Sequence, residues 1–396
     1  MGDNNTGPWP AISAGIVASL VGFGGTVALL VEAGHALGAT STQTVSWVSA
    51  LCLGVGISAL TLSLLYRMPI ITAWSTPGAA LIAASAAGMS LREAIGAFIT
   101  AALATIAVAL FRPLGRFFER IPPAIASAML AGVLLPFCVS LFKHFGADAV
   151  LSGALLFVFV LSRAVIPSFA LLAVLAAGIS LVVGRGYVAL DPGLLHFATL
   201  ELVAPVFTPH CVIGLGIPLF FVTFVSQNLP GFAVLHSAGY RVRSGPVLAT
   251  TGLAWLAAAP FGAHGVNLAA LTAAICTGED SHPDPKRRYL AGITYGLSYL
   301  ALAAFSAPLV HLFAAIPPEI VAAIAGLALI GPLTSALVVA TSSVEDREAA
   351  TLTFLATASG AALLGIGSAF WGLVIGILVL IAKRSVSRVS MVLAGR

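Results

Sequence analysis

Two polar interruptions of apolar sequence contain the residue types that an anion-binding site needs. The first, Met68–Gly78, opens with a proline and β-branched residues, which favour a short extended piece. Thr76 then offers an N-cap hydroxyl, and Pro77 suits the first position of a helix. Only about eleven apolar residues follow, through Ala87, whereas a helix that spans a bilayer needs about 20. The pattern therefore predicts a half-helix that begins near the middle of a membrane.

The second interruption, Pro260–Leu268, repeats this layout 191 residues further along the chain, so that Thr76 aligns with Asn267. A helix N-terminus presents unpaired N–H groups and about half a positive charge, which together attract a carboxylate. Non-helical backbone at membrane depth is tolerated only when it is buried in protein or lines a cavity. We expect the two half-helix N-termini to face each other and bind an anion; two kinked helices packed in a bundle are the alternative interpretation.

A third polar run, Ser226–Gly231, lies within another apolar span. Its Gln227 and Asn228 either hydrogen-bond a carboxylate or join neighbouring helices, because unpaired polar groups are costly in hydrocarbon. Glycines around Phe23 permit close approach or helix packing, and Trp74 either stacks on an aromatic substrate or fills the core. The predicted substrate-binding residues are Phe23, Trp74, Ser75, Thr76, Gln227, Asn228, His264, Gly265 and Asn267.

Movement of protons through such a site would require a titratable group near the predicted anion. The candidates are His264 within the second interruption, Glu32 toward the end of the first span, and His236, which is the repeat counterpart of His35. His264 is favoured because imidazole titrates near pH 6.5 and because this residue lies beside the predicted anion. A structural histidine is the alternative, and the membrane core offers no acidic side chain for the task.

The signatures of other function classes are missing from the sequence. It contains no P-loop, no HExxH and no pair of carboxylates at catalytic spacing, which disfavours an ATP-driven pump and an enzyme. The four cysteines lack C-x-x-C spacing and suit packing positions. The loop Gly278–Pro285 contains acids and a histidine, but its prolines and adjacent basic residues favour a solvated turn over a metal site. We expect neither a cofactor nor a metal ion.

Composition defines the class of protein that must position these residues. The mean hydropathy is +1.07, and only 8% of residues are charged, against about 25% in a soluble domain. The sequence therefore predicts an all-α polytopic membrane protein whose partner is the lipid bilayer. Its 14 predicted segments are 11–34, 43–66, 69–87, 91–111, 121–142, 147–163, 168–187, 211–235, 245–260, 262–277, 288–310, 317–340, 349–367 and 369–383.

The two halves of the chain form an internal sequence repeat. Phe118–Ile125 and Phe313–Ile320 share the pattern F-x-x-I-P-P-x-I at an offset of 195 residues, and other matches recur at similar offsets. Seven segments in each half mean that the two copies enter the membrane from opposite sides. We therefore predict a seven-plus-seven inverted repeat, with residues 1–190 as segments 1–7 and residues 205–396 as segments 8–14. Segments 3 and 10 are the two broken ones.

The distribution of basic residues predicts the orientation. With a cytoplasmic N-terminus, only Arg92, Lys143 and Arg185 fall outside, and the other 15 of the 18 basic residues lie inside. Both termini are therefore predicted to be cytoplasmic. The calculated pI of about 9.0 then requires no nucleic-acid partner, because the basic residues border the spans.

Three motifs carry a family resemblance that covers essentially the whole chain. They are Thr72–Leu81, Val225–Phe232, and Gly262–Asn267 followed by Ile275–Pro283. Here the sequence resembles the bacterial benzoate:proton symporters. That resemblance implies uptake of benzoate or a related aromatic carboxylate across the inner membrane, driven by the proton gradient. An anion channel is the rival function from another class, because broken helices would serve a pore equally well.

More distantly, the chain is similar to uracil and xanthine permeases and to sulfate-type anion transporters. This similarity implies a core domain of segments 1–4 and 8–11 and a gate domain of segments 5–7 and 12–14, which often forms a homodimer. Nucleobase permeases place an acidic residue where this chain has Gln227, and another near His264–Asn267. Because nucleobase N–H donors need acceptors, the missing acids argue against a nucleobase substrate, although a nucleobase or inorganic-anion transporter is the rival within the same fold.

Overall fold

The computed structural model describes residues 7–24, 26–85, 88–111, 122–143, 148–186, 197–315, 318–361, 363 and 366–394. Six helices in this part of the chain are long and apolar enough to cross a membrane, and one bent pair would add a seventh. Four shorter apolar helices accompany them. The prolines at positions 122, 123 and 318 are described, whereas Ile121, Ile316 and Pro317 of the repeated motif lie outside the described residues.

The regular elements follow the predicted segments closely. In chain order they are α1 Trp9–Gly24, α2 Val27–Ala36, α3 Ser41–Tyr66, β1 Thr72–Ala73, α4 Thr76–Ser85, α5 Leu91–Leu110, α6 Pro123–Lys143, α7 Ala149–Val165, α8 Ala170–Gly184, α9 Pro209–Ser237, α10 Ser244–Ala258, β2 Asn267–Leu268, α11 Leu271–Thr277, α12 Tyr289–Ala304, α13 Ser306–Ala315, α14 Pro318–Ser342, α15 Arg347–Ala358 and α16 Ser368–Ala394. A two-residue strand precedes each of the short helices α4 and α11, as expected for broken segments.

The first predicted segment corresponds to one candidate span. The helices α1, which ends at Gly24, and α2, which begins at Val27, together form the candidate span Trp9–Ala36, against predicted bounds of 11–34. Gly25 lies outside the described residues. Next to it, the Thr26 hydroxyl donates to the Gly22 carbonyl at 2.8 Å.

Small residues let the helices that enclose the broken segments approach closely. A Cβ atom placed on Gly296 of α12 would lie 2.9 Å from the Gly56 carbonyl oxygen of α3, and one on Gly15 of α1 would lie 2.5 Å from the Ala291 carbonyl oxygen. Such backbone-to-backbone contact is typical of helix packing in membranes. The helix α12 is thereby fixed against both α3 and α1.

An extended segment before α9 connects several helix ends. In residues 197–207, the Ala198 N–H donates to the Ala304 carbonyl, the Val203 N–H to Pro260 and the Val206 N–H to Arg92. The Ser46 hydroxyl accepts from the Glu201 N–H at 2.9 Å. Through these hydrogen bonds, residues 197–207 connect the ends of α3, α5 and α12 to the turn after α10.

Candidate functional site around the two broken segments

The two broken segments meet as a two-stranded antiparallel sheet. Thr72 pairs with Leu268 and Ala73 with Asn267. The free edge of β1 is occupied by the Tyr295 hydroxyl, which donates to the Thr72 carbonyl at 2.8 Å. At the free edge of β2, Asn228 Oδ1 accepts from the Leu268 N–H at 3.0 Å. Side chains from α12 and α9 therefore satisfy the edges of a sheet that water does not reach.

The N-terminus of α4 is capped by Ser75, and the prediction that Thr76 is the cap is wrong. The helix begins at Thr76, and the Ser75 hydroxyl accepts from the Gly78 N–H at 3.0 Å. Both residues carry hydroxyls, but the one that precedes the first helical residue is in the N-cap position. The half-helix itself is present as predicted, with ten residues from Thr76 to Ser85.

Asn267 does not cap the second half-helix, so that prediction is also wrong. It lies within β2, whereas α11 begins at Leu271 after Ala270, which makes no side-chain cap. With the orientation that satisfies its side-chain amide, Asn267 accepts from the Ser75 N–H at 3.1 Å and donates to the Leu268 carbonyl at 2.9 Å. Asn267 thus joins the second broken segment to the cap residue of the first.

His264 is buried and uses both ring nitrogens within the protein. The Trp47 indole N–H donates to His264 Nδ1 at 3.1 Å, and His264 Nε2 lies 2.9 Å from the Ser75 carbonyl oxygen. Because an indole N–H only donates, Nδ1 must accept, and Nε2 carries the hydrogen that Ser75 receives. A second proton on His264 Nδ1 would place this N–H donor directly opposite the Trp47 indole N–H donor, and that hydrogen bond would be lost. This geometry favours the structural alternative for His264 over proton transfer.

Beside His264, Gly265 packs against Ser75. A Cβ at Gly265 would lie 3.3 Å from the Ser75 Cβ and 3.4 Å from its backbone nitrogen. Only a residue without a side chain permits this approach without displacing the first broken segment. Gly265 therefore contributes close backbone contact, and a side-chain group for a ligand is absent at this position.

Aromatic rings form a continuous wall next to β1. Trp74 contacts Phe23 edge-to-face at 5.7 Å between centroids and contacts Tyr299 edge-to-face at 5.6 Å. The Trp74 indole N–H donates at 2.8 Å to the hydroxyl of Thr26, the residue before α2. Edge-to-face contacts of this kind orient the rings in addition to burying them. Phe23 and Trp74 are therefore together, as a shared role would require.

The two amides of the third polar run lie on a π-helical turn of α9, Phe224–Asn228. Such turns widen the helix locally and occur frequently at functional sites. The Asn228 side chain is buried, and its Nδ2 donor has no hydrogen-bond partner among the described residues. Gln227 is partly exposed, and no hydrogen bond to another described residue satisfies its amide. The turn thus presents two amide groups that are available to a ligand.

The remaining proton candidates are outside this cluster. Glu32 is partly buried on α2, which packs against α4 and α14. His236 is exposed near the end of α9.

The C-terminus of α11 is held by a buried arginine. Arg288 donates from Nη1 to the Thr277 carbonyl and from Nε to the His282 carbonyl, each at 2.7 Å. A cation is favourable at a helix C-terminus, where carbonyl groups are unpaired. The sequence had indicated only an ordered turn here. The structure makes the loop Gly278–Pro285 an anchor for the second half-helix.

Sequence reasoning missed Trp47, Tyr295 and Tyr299, which support the site from α3 and α12. The tyrosines are four residues apart and therefore share a helix face, and both are buried. That spacing within an apolar helix was the available signal. Nothing local marks Trp47, because its partner His264 is 217 residues away in the chain.

Comparisons with known proteins identify the family of this chain. The family "BenE: Benzoate membrane transport protein" matches residues 6–382. "Inner membrane protein YdcO" of Escherichia coli (strain K12) is 39% identical over 383 residues, which cover 96% of this chain and 98% of the relative. "Benzoate membrane transport protein" of Acinetobacter baylyi (strain ATCC 33305 / BD413 / ADP1) is 34% identical over 368 residues, 93% of both chains.

Solved structures share the fold at low sequence identity. The transmembrane domain of a cyanobacterium bicarbonate transporter, BicA, superposes with a TM-score of 0.59 at 17% identity, covering 94% of this chain and 96% of that one. SLC26A9 gives a TM-score of 0.59 at 12% identity, covering 94% and 65%. The protein is thus a multi-pass membrane transporter rather than an enzyme, and it belongs to the benzoate membrane transport protein family.

Proposed function

We propose that this protein is a secondary active transporter that takes up benzoate or a related aromatic carboxylate together with protons, by alternating access. Family membership and the relative named for benzoate transport support the substrate class. The likeness to BicA and SLC26A9 supports a fold that handles anions. The observation that carries the proposal is the buried Asn228 Nδ2 donor, which has no partner among the described residues and lies beside the sheet formed by the two broken segments.

The chemistry of the cluster suits an aromatic acid. A carboxylate has only acceptor atoms, and Asn228 Nδ2 and the Gln227 amide nitrogen are donors. The positive end of the α4 dipole also favours an anion, although the Gly78 and Ala79 N–H groups already bond to Ser75. The aromatic ring of the substrate would lie against the wall of Phe23, Trp74 and Tyr299, which offers apolar area with fixed geometry. An unpaired buried donor is costly, so a ligand that satisfies Asn228 gains affinity.

We further propose the inverted-repeat organisation, with residues 1–190 and 205–396 as the repeats. Antiparallel pairing of β1 with β2 supports it, because corresponding segments of the two halves meet there. The core domain would contain segments 1–4 and 8–11, and the gate domain segments 5–7 and 12–14. Both termini would be cytoplasmic, in the inner membrane of a bacterium, and the gate domains of two copies would form a homodimer.

For proton coupling, we propose Glu32 as the carrier. His264 has both ring nitrogens occupied, and His236 is exposed at the end of α9. Glu32 is a partly buried carboxyl on a helix that packs against both α4 and α14, which belong to different proposed domains. Protonation of Glu32 would neutralise its carboxylate, and a charged carboxylate is costly to move between α4 and α14 where water is excluded.

Uptake of labelled benzoate into proteoliposomes tests the function. We expect accumulation above equilibrium that disappears when the pH gradient is collapsed. Downhill flux with no accumulation would indicate a channel, and preferential uptake of uracil or bicarbonate would indicate the rival transporters. Asn228→Asp keeps the acceptor for the Leu268 N–H but replaces the free donor with a negative charge. Because Asn228 is buried, the new carboxylate is costly, so the thermal midpoint is measured beside uptake, and we expect uptake per folded molecule to fall at least tenfold.

The proton carrier is tested in the same vesicles with three variants. Glu32→Gln should retain benzoate exchange but lose accumulation driven by the pH gradient. His264→Gln and His236→Gln should retain that coupling in whatever uptake remains. Normal accumulation by Glu32→Gln would exclude Glu32 as the carrier.

A further inference from the structure

A large cavity lies along the second half of α9. Its volume is about 1140 Å³, and its lining comes from the end of α5, the second half of α9 and the beginning of α10. Small-molecule sites commonly occupy about 300 to 1,000 Å³, so the space admits a benzoate-sized ligand with water. We call this space the α9–α10 cavity.

The lining of the α9–α10 cavity includes groups that attract anions. His236 and Arg243 line it, together with Ser244 and Gly245 in the first turn of α10. Arg243 occupies the N-cap position but makes no side-chain cap, so the first N–H groups of this 15-residue helix lack a side-chain acceptor. No acidic residue lines the cavity within the described ranges, and Arg243 forms no ion pair there.

The rest of the lining is largely apolar and aromatic. Leu110, Phe224 and Phe232 belong to it, and Phe224 is also the first residue of the π-helical turn Phe224–Asn228. Phe232 and His236 are four residues apart on α9 and therefore share a helix face. A ligand with an aromatic ring and a carboxylate matches this combination of apolar and basic side chains.

We propose that the α9–α10 cavity is a second binding site for an aromatic carboxylate, separate from the site at the broken segments, with Arg243 as its principal anion contact. This inference rests on the proposed function. It adds a second site that the substrate would occupy on its way between the central site and one membrane face. Arg243 provides a guanidinium that binds a carboxylate through two N–H donors, and His236 adds a further donor. Because both residues are exposed, water screens the attraction, and binding is weaker than at a dry site.

Photolabelling with 4-azidobenzoate tests the proposal on the full chain in phosphatidylcholine vesicles, which contain no anionic lipid to compete. Peptides are mapped by mass spectrometry with and without excess benzoate. We expect two groups of benzoate-protected labels, one near Trp74 and Gln227 and one among residues 236–249. Arg243→Gln should reduce the second group at least fivefold and change the first less than twofold. Arg241→Gln is the matched control, because Arg241 is exposed nearby but does not line the cavity.

The outcomes separate the two proposals. Protected label near Trp74 alone would overturn the second site and leave the proposed function standing. Label in residues 236–249 that responds equally to Arg243→Gln and Arg241→Gln would overturn the role of Arg243. Absence of benzoate-protected label near Trp74, together with absence of benzoate uptake, would overturn the proposed function itself. Raising the salt concentration from 50 to 500 mM should weaken the second group more than the first, and equal loss would contradict an exposed ionic site.

Discussion

The two broken segments are held at opposite ends, although they occupy corresponding places in the two halves of the sequence. The helix α4 is fixed at its N-terminus by the hydroxyl of Ser75, whereas α11 has no side-chain cap there and is fixed at its C-terminus by Arg288. His264 and Asn267 of the second segment then bond to Ser75 of the first. The N-terminal part of the second segment is therefore held by the first segment, and its C-terminal end is held by Arg288 and the adjoining loop.

The largest expected effect comes from breaking the outer anchor of α11. Arg288→Gln removes a buried cation from the Thr277 and His282 carbonyls, and hydrogen bonds to charged groups contribute about 1.5 to 3 kcal/mol. We expect a loss of about 3 kcal/mol in stability and at least a tenfold loss of benzoate uptake. Thermal unfolding of the purified protein and vesicle uptake measure the two effects. Arg287→Gln is the control, since Arg287 is exposed; equal effects in both variants would reject the anchor.

The next effect concerns the link between the segments. His264→Ala leaves the Trp47 indole N–H and the Ser75 carbonyl without partners, and a buried unsatisfied group costs about 1 to 3 kcal/mol. Trp47→Phe removes one partner of the same bond. In a double-mutant cycle the two changes should couple by at least about 0.5 kcal/mol. Additive losses would show that the histidine and the tryptophan act independently.

A smaller effect distinguishes the two hydroxyls at the start of α4. Ser75→Ala should lower stability by about 1 kcal/mol, the usual contribution of a side-chain N-cap, and should weaken benzoate binding. Thr76→Ala should change stability by less than about 0.5 kcal/mol, because its side chain bonds to no described residue. Thermal midpoints and benzoate titrations compare the variants, and a larger loss at Thr76 would reverse the assignment.

The smallest expected effect concerns the pair Asp148 and Arg185, which lies outside both broken segments and serves as a control. Asp148 caps α7 and bonds to Arg185, which holds the pKa of this carboxyl below its usual value of about 3.9. The pair therefore adds stability above the unfolded-state pKa, and that stability disappears as the pH falls through the lower folded-state pKa. Asp148→Asn should flatten the acid limb of the stability profile slightly and leave uptake unchanged at pH 7. A marked loss of uptake would mean that this exposed pair has a functional role.

Local sequence was sufficient for much of this picture. Proline, chain length and hydropathy are read over a few residues, so both half-helices and most of the long apolar helices were predictable. The segment predicted at 349–367 was too long, because its helix ends at Ala358. The cap assignment failed by one residue because Ser75 and Thr76 carry the same group, and backbone geometry decides between them. The pairing of His264 with Trp47 could not be predicted from local sequence, since 217 residues separate them.

The short sheet also has a consequence for how the protein is made. Thr72 pairs with Leu268, so the first broken segment leaves the ribosome 196 residues before its partner strand. At about 5 to 20 residues per second, roughly 10 to 40 s pass before the second strand exists. During that interval the backbone of β1 lacks its sheet partner in a lipid environment that offers no substitute. We expect the first half to be degraded when expressed alone and to be rescued by co-expression of the second half, as a pulse–chase experiment would show.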